Sequence, residues 1–261
     1  MEFRRRTPSP PLRATRPSGV QQTNPTRGRH AGRAPSAPVE VDWSAWLRLI
    51  ERRRRLLRRH HAPTTGRRAA RLAGEHLAAL TYASFRLDGL DLTEAEVSRA
   101  LARAAATRSL PSRQSQRIRN HVAILRRVES ALRLGQPLKT AAVVRWYTSV
   151  SCGLCLSSLD GAAISRLDHV IRRINSPQLR LQPAITDIAA LHAELIAEPL
   201  VPSFNGILAR LLLQYHLGRC HLPPVSLPPD TPPQSTCDRR LLLPLLLNGI
   251  ETTYRLLLGE E

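Results

Sequence analysis

Ser203-Phe-Asn-Gly-Ile-Leu-Ala-Arg-Leu-Leu-Leu-Gln-Tyr-His-Leu217 is the stretch on which the fold turns. From Phe204 onward it has apolar residues on every side of a helix: Ile207, Leu208, Leu211, Leu212, Leu213 and Leu217 leave no polar stripe. A surface helix shows one apolar face, whereas a helix that is apolar all round belongs at the centre of a bundle. The pattern therefore predicts a central buried helix over about 204–217. One charge falls inside it. Arg210 has no obvious solvent face, and an unpaired buried ion costs several kcal/mol, so its position requires a carboxylate partner or an anionic ligand. Ser203 and Asn205 are candidate caps, and the free backbone N–H groups of this helix start are a candidate phosphate nest. The alternative is that Arg210 reaches the surface along its apolar stem and Asn205 only caps the helix.

Outward from this core, most of the chain reads as helix. Trp43, Trp46, Leu47 and Ile50 repeat at helical spacing after Asp42, with the run Arg52 to Arg55 on the helix surface and Pro63 and Gly66 as breakers. A second helix is expected over about 67–84, carrying Leu72, Leu77, Leu80 and Tyr82. After the loop Leu87 to Leu92, Thr93-x-x-Glu96 is a capping box that opens a third. Beyond Pro111 a long helix carries Ile118, Val122, Ile124, Leu125, Val128 and Leu132 until Gly135 stops it. Further helices are expected over about 140–150, over 186–197 with Thr186 as cap, and over 239–258 after the Pro-rich loop 223–233. Residues 152–183 read equally as a short hairpin or a helix around Val170 and Ile171. The fold class is all-α, a core of Leu, Ala, Ile and Val with only 4% aromatic residues. Segment 1–41, rich in Arg, Pro, Ser and Thr, cannot offset its ordering entropy by burial and is expected to be disordered. The remainder divides into an N-terminal helical region, 42–110, and a second helical region, 111–261.

Charge is unevenly placed. Of the net +19, residues 1–74 supply +14, from 18 Arg against Glu2, Glu40, Asp42 and Glu51. Lys139 is the single Lys among 39 basic residues, a ratio typical of GC-rich coding. The first reading is a solvated basic tail, and the rival is a nucleic-acid binder acting through that tail. No apolar run approaches the roughly 20 residues needed to span a bilayer. Leu241 to Leu247 is interrupted by Pro244, and no apolar stretch follows the first arginines. A cytoplasmic protein without a membrane partner is expected. Cys152-Gly-Leu-Cys155 is a lone C-x-x-C that Cys220-His221 could complete as a zinc site. With no second C-x-x-C and no βαβ pattern, reduced thiols are the expectation.

Two separated motifs carry a family resemblance. Arg210-Leu-Leu-Leu-Gln-Tyr-His-Leu-Gly-Arg-Cys-His-Leu-Pro-Pro-Val225 resembles, in unbroken register, the R-L-L-x-N-x-x-L-x-x-x-G-Y-P-P-V stretch of the Fic (Fido) family. Upstream, Pro199-Leu-Val-Pro-Ser-Phe-Asn-Gly-Ile-Leu-Ala-Arg210 stands against the signature H-x-F-x-D-G-N-G-R-x-x-R. Asn205, Gly206 and Arg210 match, while the histidine position is Pro199, the acidic position Ser203 and the first arginine Ile207. Far away, Ser84-Phe-Arg-Leu-Asp88-Gly89 resembles the inhibitory motif S-x-x-x-E-G with Asp in place of Glu, and Leu92-Thr-Glu-Ala-Glu-Val97 fits its usual continuation. Weaker echoes are Asn120 and Ala123 in the helix before a substrate-binding flap, and Gly161, Arg166 and Val170 on the flap itself.

The resemblance implies a Fic-like bundle with a short flap and a definite chemistry. In active members the histidine takes a proton from a target hydroxyl, which attacks the α-phosphate of ATP, while the acidic residue holds Mg²⁺. Here Pro199 has no proton acceptor, and loss of a positioned base typically removes about 10²–10⁴ in rate. Ser203 lacks the carboxylate that Mg²⁺ favours, and Ile207 cannot bind phosphate. Asn205, Gly206 and Arg210 remain as a nucleotide or anion site, with Asp88 the implied partner of Arg210. The resemblance thus implies a catalytically degenerate homologue that binds a nucleotide or a protein, taking ATP and Mg²⁺ only if the family's site survives. Its rival is a divergent, active AMP transferase using His216 or His221 as base.

Overall fold

The structure is a computed structural model and describes residues 41–60, 67–103, 113–151, 159–176, 178 and 180–260, without the side chains of 58, 60, 67–73 and 103. The expected disordered tail, the C-x-x-C at Cys152 and Cys155, and the 110–111 boundary lie outside the described residues.

Every regular element among the described residues is helical: α1 (Trp43–His60), α2 (Arg67–Leu87), α3 (Glu94–Arg103), α4 (Arg113–Arg133), α5 (Thr140–Ser151), α6 (Gly161–Asn175), α7 (Leu181–Ala197), α8 (Asn205–Arg219), α9 (Pro233–Cys237) and α10 (Arg239–Leu258). Local chemistry sets several ends. The Thr93 hydroxyl accepts from the Glu96 N–H at 3.3 Å while the Glu96 carboxylate takes the Thr93 N–H at 2.8 Å, which closes the capping box of α3. Gly135 (φ 62) ends α4, with Gln136 N–H returning to the Ala131 carbonyl. Asp160 caps α6 through Ala163 N–H, and Asp238 caps α10 through Arg240 N–H.

Three local expectations are corrected. Thr186 does not cap α7, which begins at Leu181, because Pro183 falls in the first turn where the helix needs no N–H from it. Residues 161–175 form α6 and not a hairpin, so Arg166 and Val170, placed on a flap by the resemblance, are helical; Asp160 supplies the cap and Leu167, Val170, Ile171 and Ile174 the buried face. Neither Ser203 nor Asn205 caps α8. Its N-cap is Phe204, with no side-chain cap bond.

Helix α8 is apolar all round because it separates two core clusters. Ile207, Leu208, Leu211, Leu212 and Tyr215 join the cluster built from α2 to α6, while Leu213 and Leu217 join the one built from α1, α7, α10 and the segment 220–227. Each such side chain, fully buried, contributes about 1.5–3 kcal/mol. α8 packs most extensively on α7 and also on α4, α2 and α6. Close approach needs small residues: a Cβ at Gly218 would strike Leu132 of α4, and one at Gly249 of α10 would strike Val225. Val225 is further pinned by Gln214, whose amide donates to its carbonyl at 2.8 Å and accepts its N–H at 2.9 Å. Helix α10 is the one described helix long and apolar enough to cross a membrane by length and composition; Leu242, Leu246, Leu247, Ile250 and Tyr254 of it are buried.

Candidate anion site at the start of the central helix

Two segments far apart in sequence meet over α8. The last turn of α2 brings Ser84 to Arg210, and Asp88 follows in the turn that Gly89 (φ 77) completes. Arg210 is 7% exposed. Its Nε donates to Ser84 Oγ at 2.9 Å, and its Nη2 donates to the Ser84 carbonyl at 2.6 Å and to Asp88 Oδ1. Burial holds the guanidinium below its ordinary value, and the Asp88 carboxylate pushes it back up. The buried cation inferred from the sequence is thus neutralised by the carboxylate that the resemblance named.

The same carboxylate covers the start of α8. A Cβ on Gly206 would collide with Asp88 Oδ1 and lie 3.0 Å from Arg210 Nη1, so any side chain there has to displace the ion pair; the glycine serves this close approach and not backbone freedom. Asn205, expected in the nest, is committed elsewhere. Its Oδ1 accepts the Leu200 N–H at 2.9 Å and its amide donates to the Leu195 carbonyl at 2.6 Å, stitching the end of α7 to the start of α8. Arg166 binds the same loop from α6, donating to the Glu198 carbonyl at 2.7 Å and the Pro199 carbonyl at 3.3 Å. Val170 is buried in the core and takes no part. Ser203 is half-buried, and Pro199 is exposed.

Among the described residues, two non-glycines adopt left-handed backbone: Phe204 (φ 58) and His221 (φ 56). Both stand where the Fic patterns carry glycine, in D-G-N and in G-Y-P-P-V. Left-handed backbone at a residue with a Cβ costs about 1–2 kcal/mol at each position. The Phe204 ring lies under the Arg117 guanidinium, 4.8 Å from its centroid, which holds the loop at the mouth of the site.

Two histidines flank Arg210, and sequence reasoning missed both. His121 and His192 are fully buried and held neutral, each pushed down to about 3, first by burial and then by the Arg210 charge. The Thr81 hydroxyl donates to the Leu77 carbonyl at 2.7 Å, so the His121 Nδ1–H is the donor in its 3.1 Å contact with Thr81. His192 makes no hydrogen bond of good geometry on either nitrogen, although the Ala209 backbone lies close enough to favour its charged form slightly. The signal was present: both polar residues sit on the apolar face of a predicted helix. The rival bases lie elsewhere. His216 is about 16 Å along α8 from Asn205 and His221 farther still. His216 is buried, pushed down to about 4 mainly by burial, and 3.6 Å from Asp187.

The residues present do not fit Mg²⁺ as the family holds it. Ser203 offers no carboxylate, Asp88 is engaged by Arg210, and among the described residues no three His, Cys, Asp or Glu side chains converge. Cys220 is buried, its thiol pushed up to about 11 by burial, which disfavours a metal-binding thiolate. The cavity that Arg210 lines with Ser84, His121 and Gln214 measures only about 10 Å³, room for one water at most.

The architecture is that of Fic domains. It is similar to residues 134–508 of Fic-1 from C. elegans, at TM-score 0.66 and 17% identity over 84% of this chain and 72% of that one. A variant of the same protein gives TM-score 0.63 at 16% identity over 84% and 73%. A Fic domain containing signaling protein from Bacteroides thetaiotaomicron VPI-5482 matches at TM-score 0.59 and 13% identity, over 82% of this chain and 99% of that one. No protein-family model matches the chain, and no curated protein matches it in sequence. At these identities the likeness defines the fold; what the site does rests on its own residues.

Proposed function

We propose that this chain is a catalytically degenerate Fic-fold protein that acts as a binding or regulatory module, not as an AMP transferase. The observation that carries the reading is the occupant of the helix start: the Asp88 carboxylate lies against Gly206 and binds Arg210, where an incoming phosphate would need both. Pro199 supplies no base, Ser203 no metal carboxylate and Ile207 no second guanidinium, so three separate contributions to phosphoryl transfer are lost together. His216 and His221 do not replace them, because the distance along α8 puts neither within hydrogen-bond reach of a hydroxyl at the helix start.

The test is incubation of the full chain with Mg²⁺, ATP and a cell lysate, followed by mass spectrometry for AMP added to any protein, this chain included. No addition is expected, for the native chain or for Pro199→His, because the base alone leaves the metal and phosphate positions unfilled. AMP transfer by the native chain would overturn the reading.

A further inference from the structure

Helix α1 carries unpaired charge on one face. At about 100° per residue, Arg48, Arg52, Arg55 and Arg59 fall within roughly 60° of arc, and all four are exposed. The opposite face carries Trp46, Ile50 and Leu57, which pack into the second core cluster against α10. The run Arg52 to Arg55 is therefore not uniformly on the surface, as the sequence had implied. Arg53 turns inward to Glu251 (2.9 Å) and Glu260, and Arg54 pairs with Glu51 at 3.1 Å. The four outer guanidiniums meet no carboxylate among the described residues. Arg55 alone makes a bond nearby, from Nε to the Glu51 backbone carbonyl at 3.4 Å.

We propose that this face of α1 docks on the phosphate backbone of a DNA duplex. Arg48 and Arg59 stand eleven positions apart, which spreads the four guanidiniums over about 16 Å of helix, enough to meet phosphates on both sides of a major groove about 12 Å wide. Guanidinium binds phosphate through paired N–H groups, and a helix anchored along its opposite face presents them with no backbone left to order at binding. Two other partners fit less well. A helix that binds a bilayer offers its apolar face, and that of α1 is already in the core. A protein interface has an apolar centre, and none of the exposed large apolar side chains lies on α1. In sequence, the forty residues before Val41 carry eight Arg against Glu2 and Glu40, charge of the same sign as this face.

The test measures binding of the full chain to a DNA duplex of about 20 base pairs across a salt series, where each phosphate contact contributes about 0.9 to the log–log slope. The variant Arg48→Gln/Arg52→Gln/Arg55→Gln/Arg59→Gln should flatten the slope by about 3–4 and weaken binding at least tenfold near 0.1 M salt. A control, Arg126→Gln/Arg127→Gln/Arg133→Gln/Arg145→Gln, removes equal exposed charge from α4 and α5 and should change the slope by less than about 1. Circular dichroism should be unchanged for both, since all eight positions are exposed. Equal losses in the two variants would make net charge the cause and overturn the proposal. So would undiminished binding by the α1 variant, which assigns binding to the tail, or a native chain that binds anionic phosphatidylserine vesicles and not the duplex.

Discussion

Asp88→Ala leaves Arg210 buried with only the hydroxyl and carbonyl of Ser84 to hold it. Side-chain exposures of 9% for Arg210 and 15% for Asp88 make this a buried pair. Breaking it should cost about 3–5 kcal/mol in urea unfolding, against well under 1 for a surface pair. Gly206→Ala attacks the same contact from the other side, by pushing a methyl group into the carboxylate. It should cost about 2 kcal/mol alone and clearly less in the Asp88→Ala background, since the atom it strikes is then gone. Additive losses in that double-mutant cycle would mean that the carboxylate does not sit on the helix start. The residue scale was also where the sequence spoke most clearly. A lone Arg among leucines called for an anion unless it reached the surface, and the motif at Ser84 to Gly89, through the resemblance, named one. Asn205 was legible only in part, because its side chain serves the backbone of Leu195 and Leu200, and a loop's path cannot be read from composition.

Helix α8 is held in place at both ends by strained residues. At its C-terminal end the Leu222 N–H returns to the Leu217 carbonyl and the His221 N–H to the Gly218 carbonyl, a closure that needs left-handed backbone at His221. His221 is exposed, so glycine there relieves strain without loss of packing. His221→Gly should stabilise by about 1 kcal/mol, a rise of roughly 2–4 °C in Tm by calorimetry. A lower Tm would show that the imidazole makes a contact the helix end requires. Phe204 is not equivalent, because its ring is partly buried and stacked under Arg117, so strain there is offset by packing. Most helices were legible at this scale from periodicity, caps and breakers; α6 and the start of α7 were not. The adjacent pair Val170 and Ile171 suits either a strand or a helix when read alone; with Leu167 and Ile174 it stands at i, i+3, i+4 and i+7, the helical period, and Asp160 caps that helix. Pro183 reads as a breaker unless its place in a first turn is known.

At the scale of the molecule, three buried neutral histidines among the described residues give stability a direction with pH. His121 and His192 are held at about 3 and His216 at about 4, each below the ordinary value near 6.5 and in each case mainly by burial. The unfolded chain therefore takes up protons first as pH falls. Their contribution is complete above about pH 6.5 and is lost as pH falls from there toward about 4–3. Thermal melts should be flat from pH 8 to 7 and fall steeply below 6. His192→Leu, which replaces an imidazole without a well-formed hydrogen bond, should be neutral or stabilising at pH 7 and lessen the acid slope by about one proton. An unchanged slope would mean that His192 is already protonated or solvated in the fold. By itself the sequence determined an all-helical chain and a central helix apolar on every side with one arginine inside it, because periodicity acts along a few consecutive residues; that the arginine is buried was decided by the fold. Only the tertiary structure decided that Asp88 covers Gly206, that Asn205 is committed to the loop before it, that two histidines crowd Arg210, and that Arg53 turns inward while four neighbouring arginines face out. Each of those depends on which surfaces meet across more than a hundred residues of chain or between helices, and local patterns carry no record of such meetings.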